Sequence, residues 1–369
     1  SQNRSRKGGR FAPIAVTAVS LKMPQLQHRT CFLLAILFEG CLVFSFSTCA
    51  QILAPQQDNT VASSAPRDLS GLQLGSAKLL ELETALNQRD YERAETILVQ
   101  QADSDPKSVR ASKLFVTAAG IFFLDGKYLN AVIAWKKAEA IAPLDERSRF
   151  TLAMAYVKLN RRDWARPELE KLAAGQPRNP LYLYWLGRLD YDRRDYGSAI
   201  EHLQKVIVLD PKMLRAYDSL GLCYDYLGKF DEAVKVYDRA LELNRMQPKP
   251  SPWPHLDLAV SLISLNRLSE AEKNLREAIG YDPGLPQAHY QLGRVLEMQG
   301  QYEASVQALG QAAALDPAYP EPHYLLGKIY HRLGDEPRSK AEIDRFQQLK
   351  KASEAPAATN VPAPQAHIQ

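Results

Sequence analysis

Between residues 75 and 353 the apolar positions recur three and four residues apart, the spacing that gathers side chains along one face of an α-helix. Large and small residues alternate on these faces. Leu186, Leu220, Leu258, Leu292 and Leu326 each precede a member of a small column made of Ala119, Ala153, Gly187, Gly221, Ala259, Gly293 and Gly327. A second small column holds Ala94, Ala131, Ala165, Ala199, Ala233, Ala271, Ser305 and Ser339. Four residues beyond it stand Trp135, Leu169, Leu203, Tyr237, Leu275 and Leu309. Such columns predict pairs of helices whose backbones approach closely. Pro143, Pro177 and Pro211 give the period as 34 residues, and Pro283 and Pro317 repeat it.

The turn residues divide each period in two. In Asp125-Gly126-Lys127, Leu227-Gly228-Lys229 and Gln299-Gly300-Gln301 a glycine predicts the left-handed end of a first helix. The pairs Asp105-Pro106, Asp210-Pro211, Asp282-Pro283 and Asp316-Pro317 predict the end of a second helix, because proline has no N–H to continue the ladder. Each unit therefore reads as helix, turn, helix, stop.

This pattern resembles the tetratricopeptide repeat, most plainly in Leu220-Gly221 with Tyr224, Ala233, Tyr237 and Ala240, and again in Leu326-Gly327 with Tyr330. The resemblance implies an all-α fold, a right-handed superhelical solenoid of about eight helix-turn-helix repeats. Their bounds fall near 75–108, 112–145, 146–179, 180–213, 214–247, 252–285, 286–319 and 320–353. Pro167 lies within the second helix of the third unit. Its closeness to Asp163 suggests a first-turn position, where a missing donor is tolerated.

Met23 begins a run with the shape of a secretory signal: His28 and Arg29, an apolar stretch from Cys31 to Phe46, then Ser47, Thr48, Cys49 and Ala50. Residues 1–50 therefore read as an upstream extension plus signal, with cleavage expected after Ala50 and a periplasmic or secreted location. The alternative is an uncleaved membrane anchor over 31–50, against which Glu39 counts. Residues 51–74 read as a disordered spacer, and 354–369 as an Ala- and Pro-rich disordered tail.

The net charge of +4 comes from the leading fifty residues, which hold six Lys/Arg against Glu39. The remainder is balanced, and without a basic stripe it excludes nucleic acid as the expected partner. Only Cys223 stands beyond that leader, so neither a disulfide nor a Cys-based metal site is expected. No phosphate loop, His-Glu-x-x-His or nucleophile elbow occurs, so no enzyme activity and no cofactor are expected. His255, His289 and His323 recur at the repeat interval, but corresponding residues of neighbouring units lie a helix-packing distance apart, roughly 8–10 Å, too far for one metal. They read as structural imidazoles. Asp190 to Asp195, mixed with Arg193 and Arg194, read as a solvated face.

Stacked helical pairs curve so that their first helices line a concave groove. By the resemblance, its inward columns hold Phe150, Met154, Tyr184, Arg188, Tyr191, Arg215, Asp218, Asp225, Tyr226, Trp253, Tyr290, Arg294, Tyr324, Lys328 and Arg332. Tyr, Trp and Arg dominate protein-binding energetics. Some family members clamp a terminal carboxylate with Lys and Asn at inward positions; here those places hold Leu79 and Glu83, Val116 and Gly120, or Tyr184 and Arg188, so that clamp is absent. The expected function is a non-catalytic scaffold that holds extended protein segments in the groove during cell-envelope assembly. The alternative is a glycan-handling module or an accessory subunit of an envelope enzyme complex. Membrane contact is expected only through an uncleaved leader.

Overall fold

A computed structural model describes residues 69–354. The signal or anchor stretch, most of the spacer and the tail beyond Glu354 lie outside them. The described residues form sixteen α-helices and one short 3-10 turn, with no strand among them. In chain order the helices are α1 Ser76–Asn87, α2 Tyr91–Asp103, α3 Val109–Leu124, α4 Tyr128–Glu139, α5 Glu146–Lys158, α6 Arg162–Gly175, α7 Pro180–Asp192 and α8 Tyr196–Leu209. The remainder are α9 Leu214–Tyr226, α10 Phe230–Arg245, α11 Trp253–Ser264, α12 Leu268–Tyr281, α13 Pro286–Met298, α14 Tyr302–Leu315, α15 Pro320–Arg332 and α16 Glu336–Glu354. Odd and even helices pair into eight units, the tetratricopeptide solenoid that the resemblance implies.

One turn geometry closes the first helix of every unit. The N–H groups of Asp90, Lys127, Arg161, Asp195, Lys229, Arg267, Gln301 and Asp335 each donate to the carbonyl five residues back, at 2.8–2.9 Å. The residue before each donor is left-handed. Gly126, Gly228, Gly300 and Gly334 hold that position at φ 68–78°, where a Cβ would be strained, and Arg89, Asn160, Arg194 and Asn266 hold it at φ 56–62°. At the far end, the Asp210, Asp282 and Asp316 carboxylates accept the N–H two residues on, so the Asp-Pro stop is a side-chain-bonded turn.

The small columns are close-approach sites. A Cβ on Gly221 would sit 2.4 Å from the Tyr237 ring, and one on Gly293 would sit 2.5 Å from Leu309. Ser305 and Ser339, which replace alanine in the second column, donate to the carbonyls of Gly293 and Gly327 at 2.6 and 2.9 Å. They tie the two helices of their units together as well as filling space.

Successive units pack second helix against next first helix. First helices also meet one another directly, α3 with α5 and then α7 through α15 in sequence, while successive second helices make no comparable approach among the described residues. The first-helix row is therefore the inner one.

Four sequence expectations change. Pro167 is the sixth residue of α6, beyond the first turn, and the helix continues through it. Its lost N–H leaves the Asp163 carbonyl without its helical donor. Asp190 is not solvated: it is 2% exposed, pairs with Arg166, and lies 2.8 Å from His202 Nδ1, linking α6, α7 and α8. The end of the spacer is docked, since Leu69 and Leu72 are buried in the first core cluster and the Leu72 carbonyl accepts from Arg110 Nε at 3.3 Å. The second unit's first helix begins at Val109, capped by Ser108, three residues ahead of the repeat bound near 112.

Candidate partner-binding face

Phe150 and Met154 on α5 are 6% and 9% exposed, with the Phe150 ring 5.6 Å from Tyr182. Both pack within the first hydrophobic core cluster, outside which Tyr184 and Tyr191 lie. The column that predicted them as inward-facing is covered in this unit by its neighbour.

Units four and five bring seven of the expected residues together. On α7, Tyr184 is buried with its ring edge-on to Trp185, and the Arg215 guanidinium from α9 lies 4.6 Å from the Tyr184 centroid. Arg188, one turn beyond Tyr184, holds its guanidinium 5.8 Å from the Tyr191 ring. Its Nε is shut off from solvent and donates to nothing. Tyr191 meets Tyr196 of α8 and Tyr226 of α9 at 5.6 Å each, and Tyr196 and Tyr226 stack at 4.9 Å. Burial lowers the Arg215 pKa, and burial raises that of the Tyr184 hydroxyl.

Beside this aromatic and arginine cluster stands a group of acids. Asp218 occupies the column that Tyr184, Tyr290 and Tyr324 fill in other units. Burial pushes its carboxyl up to about 7, and its Oδ1 is sealed from water without a donor. Asp225 is pushed up to about 6 by burial, against the opposing effect of its own hydrogen bonds. It accepts from Ser261 Oγ at 2.6 Å and from Tyr237 Oη at 2.9 Å. Asp257 on α11 was not foreseen. It is 4% exposed, and burial followed by the charges of Asp218 and Asp225 holds it well above the usual carboxylate range. The available signal was an acid within the run from Trp253 to Ile263, where His255 and Ser261 are the other polar residues.

These acids impose a pH dependence. Unfolded aspartates release their protons near 3.8, whereas folded Asp218 keeps its proton to about 7. Across that window the folded chain binds the extra proton, so stability falls as pH rises. Asp257, also held above the usual carboxylate range by burial, adds to the loss. Each such group steepens the fall by up to about 1.4 kcal/mol per pH unit. Melting followed by circular dichroism is expected to give a lower midpoint at pH 8 than at pH 5, and Asp218→Asn with Asp257→Asn is expected to flatten the difference. An unchanged slope in that variant would contradict the assignment.

The remaining residues separate from this cluster. Trp253 is half-buried at the start of α11. Tyr290 packs edge-on to Tyr319 at 5.3 Å with the Arg294 guanidinium 6.0 Å from its ring; Tyr319, from the loop before α15, was not foreseen. Tyr324 is 48% exposed beside Phe346 of α16, and Lys328 is exposed. Arg332 donates to Tyr302 Oη at 2.7 Å.

The three repeating histidines each have local partners: His255 Nδ1 lies 2.9 Å from Asn274 Oδ1, His289 Nε2 3.0 Å from the Pro283 carbonyl, and His323 Nδ1 2.6 Å from Glu342. No grouping of His, Cys, Asp and Glu with metal-holding geometry occurs among the described residues. Cys223 is buried, and burial pushes its thiol up to about 12, which suppresses nucleophilic chemistry.

Comparison with known proteins follows the same segments. Tetratricopeptide repeat profiles match residues 150–213, 215–246 and 255–284, and a TPR repeat profile matches 298–334. A DnaJ homolog subfamily C member 7 homolog from Dictyostelium discoideum is 27% identical over 142 residues, covering 35% of this chain and 26% of that protein. Lipopolysaccharide assembly protein B of Escherichia coli K12 is 25% identical over 167 residues, covering 42% and 40%. Cytochrome c-type biogenesis protein CycH of Rhizobium meliloti is 27% identical over 135 residues, covering 36% and 34%. The matches thus span less than half the length of these relatives. Among solved structures, the type IV pilus biogenesis factor PilW superposes with a TM-score of 0.52 at 18% identity, covering 57% of this chain and 95% of PilW. At those identities the likeness is one of fold.

Proposed function

Because the chain belongs to the tetratricopeptide repeat family, we propose that it is a non-catalytic scaffold that holds an extended protein segment along the first-helix row of units four to seven, at the cell envelope. One observation carries this reading. Arg188 Nε and Asp218 Oδ1 stand one unit apart on that row, both closed to water and both without an intramolecular partner. An unsatisfied buried polar group costs about 1–3 kcal/mol. Two on one face are accounted for if an incoming chain supplies the missing partners. Tyr226 beside them is 36% exposed and supplies contact area of the kind that anchors protein interfaces. Tyr184 and Tyr191 are buried edge-on among neighbours, which removes the open ring faces that the glycan alternative requires.

Peptides selected from a displayed dodecamer library on the full-length chain provide the test. Tyr184→Ala with Arg188→Ala is expected to weaken the selected peptides at least tenfold, and undiminished binding would end the proposal. Envelope placement rests on the apolar leader and on the likeness to lipopolysaccharide assembly protein B and CycH. Sequencing the amino terminus of the mature protein checks it: a start just after Ala50 is expected, and an intact Met23 start would contradict cleavage.

A further inference from the structure

The hydrogen-bond donors of unit four are unevenly answered. On α7, Trp185 and Arg188 lie three residues apart, a spacing that makes helical side chains neighbours, about 5–6 Å apart at Cβ. Trp185 Nε1 and Arg188 Nε are both closed to water, and neither has an acceptor. Trp185 is not among the residues that the repeat columns single out. Its ring is fixed edge-on to Tyr184 at 5.8 Å, and the Arg188 guanidinium stands 5.8 Å from the Tyr191 ring. Aromatic contacts thus hold two unanswered N–H groups on one stretch of the inner row.

Unit seven shows what the same two positions do when one of them carries an acceptor. There Gln291 and Arg294 occupy the places of Trp185 and Arg188, and Arg294 Nη1 donates to Gln291 Oε1 at 2.7 Å. Side chains at these two positions therefore reach the same point in space. Unit four has an indole where unit seven has the amide, and an indole N–H can only donate. Two donors face each other where unit seven has a donor and an acceptor.

The acids close by are not the missing partners. Asp190, two residues past Arg188, is engaged by Arg166 and His202. Asp218, one unit on, leaves its Oδ1 without a donor, and burial is the one influence on its carboxyl. The Tyr184 hydroxyl, which Arg188 reaches, is neutral and leaves the guanidinium charge uncompensated. Arg188 is half-buried. A permanent charge partly withdrawn from water is best offset by a negative acceptor.

From this arrangement we propose that Trp185 and Arg188 receive the carboxylate of an aspartate or glutamate side chain of the bound segment. The proposal rests on the reading that the first-helix row binds an extended protein chain. A carboxylate has two oxygens, so one accepts from Arg188 Nε and the other from Trp185 Nε1. Both orphaned donors gain a partner, and the guanidinium gains a counter-charge. A backbone carbonyl offers one oxygen and no charge, which leaves the arginine uncompensated. Trp185 and Arg188 together fix the register at which the acid stands.

Dodecamer display on the full-length chain at pH 7.5 tests this directly. The selected peptides are expected to share an aspartate or glutamate at one register position. A synthetic, carboxyl-terminally amidated peptide with that acid is expected to bind about tenfold more tightly than the same peptide with the side-chain amide, terminal amidation removing the other source of negative charge. Arg188→Gln is expected to bring the preference below about twofold, and Trp185→Phe, which keeps a ring and loses the donor, to reduce it about threefold. If wild-type chains select peptides with no fixed acid, or bind the amide peptide equally, the carboxylate proposal is overturned while the groove reading stands. A preference unchanged in either folded variant overturns it likewise. If nothing is selected, both are overturned. Should Arg188→Gln fail to fold, Trp185→Phe decides alone.

Discussion

Replacing Trp135 by alanine is expected to cost about 3–5 kcal/mol, felt mainly in units one to three. Trp135 is 2% exposed on α4 and is the largest of the fully buried side chains, with the Phe123 ring 6.2 Å away. Its loss leaves a cavity between α3, α4 and the next unit. Its Nε1 has no partner, so truncation removes packing without stranding a polar group elsewhere. In a stack whose units touch only their neighbours, the damage stays local. Hydrogen exchange is expected to quicken through α3 to α5 and to change little in α13 to α16, alongside a drop in the urea midpoint. Uniform acceleration along the chain would show a single cooperative globule instead.

Leu220→Ala is expected to cost about 2–5 kcal/mol and, unlike the tryptophan change, to weaken peptide binding. Leu220 is buried on α9 beside Gly221, where the Tyr237 ring is lodged too closely for any Cβ. Tyr237 in turn donates to Asp225. A cavity at Leu220 loosens the seat of that tyrosine, and with it the Asp225 carboxylate on the first-helix row. Trp135→Ala, two units away from this face, is expected to leave affinity for a selected peptide within twofold. Urea unfolding and titration on the same two variants separate the effects, and equal losses of affinity would contradict the localisation.

The repeat was legible because its signals are local and periodic. A glycine under the Tyr237 ring, or at a left-handed turn, leaves a mark in the sequence at every period. Departures from the period were harder to read. Pro167 looked like a first-turn residue because the exact start of α6 is not written in its composition, and boundaries depend on capping bonds. Asp190 looked solvated among its charged neighbours; its partners Arg166 and His202 stand 24 and 12 residues away, so only folding shows the pairing. Phe150 and Met154 were placed by column alone, and the column carries no record of how closely the next unit covers them. Asp257 shows the converse case: an acid in an apolar helix is visible in sequence, but its significance depends on Asp218 and Asp225 standing opposite.

Hydrogen–deuterium exchange of the full-length chain, with and without a saturating selected dodecamer, tests the binding face most directly. Slowed exchange concentrated in α7, α9, α11 and α13, with α8, α10 and α12 nearly unchanged, is the predicted result. Protection confined to the second helices, or absent from both rows at saturation, would contradict it.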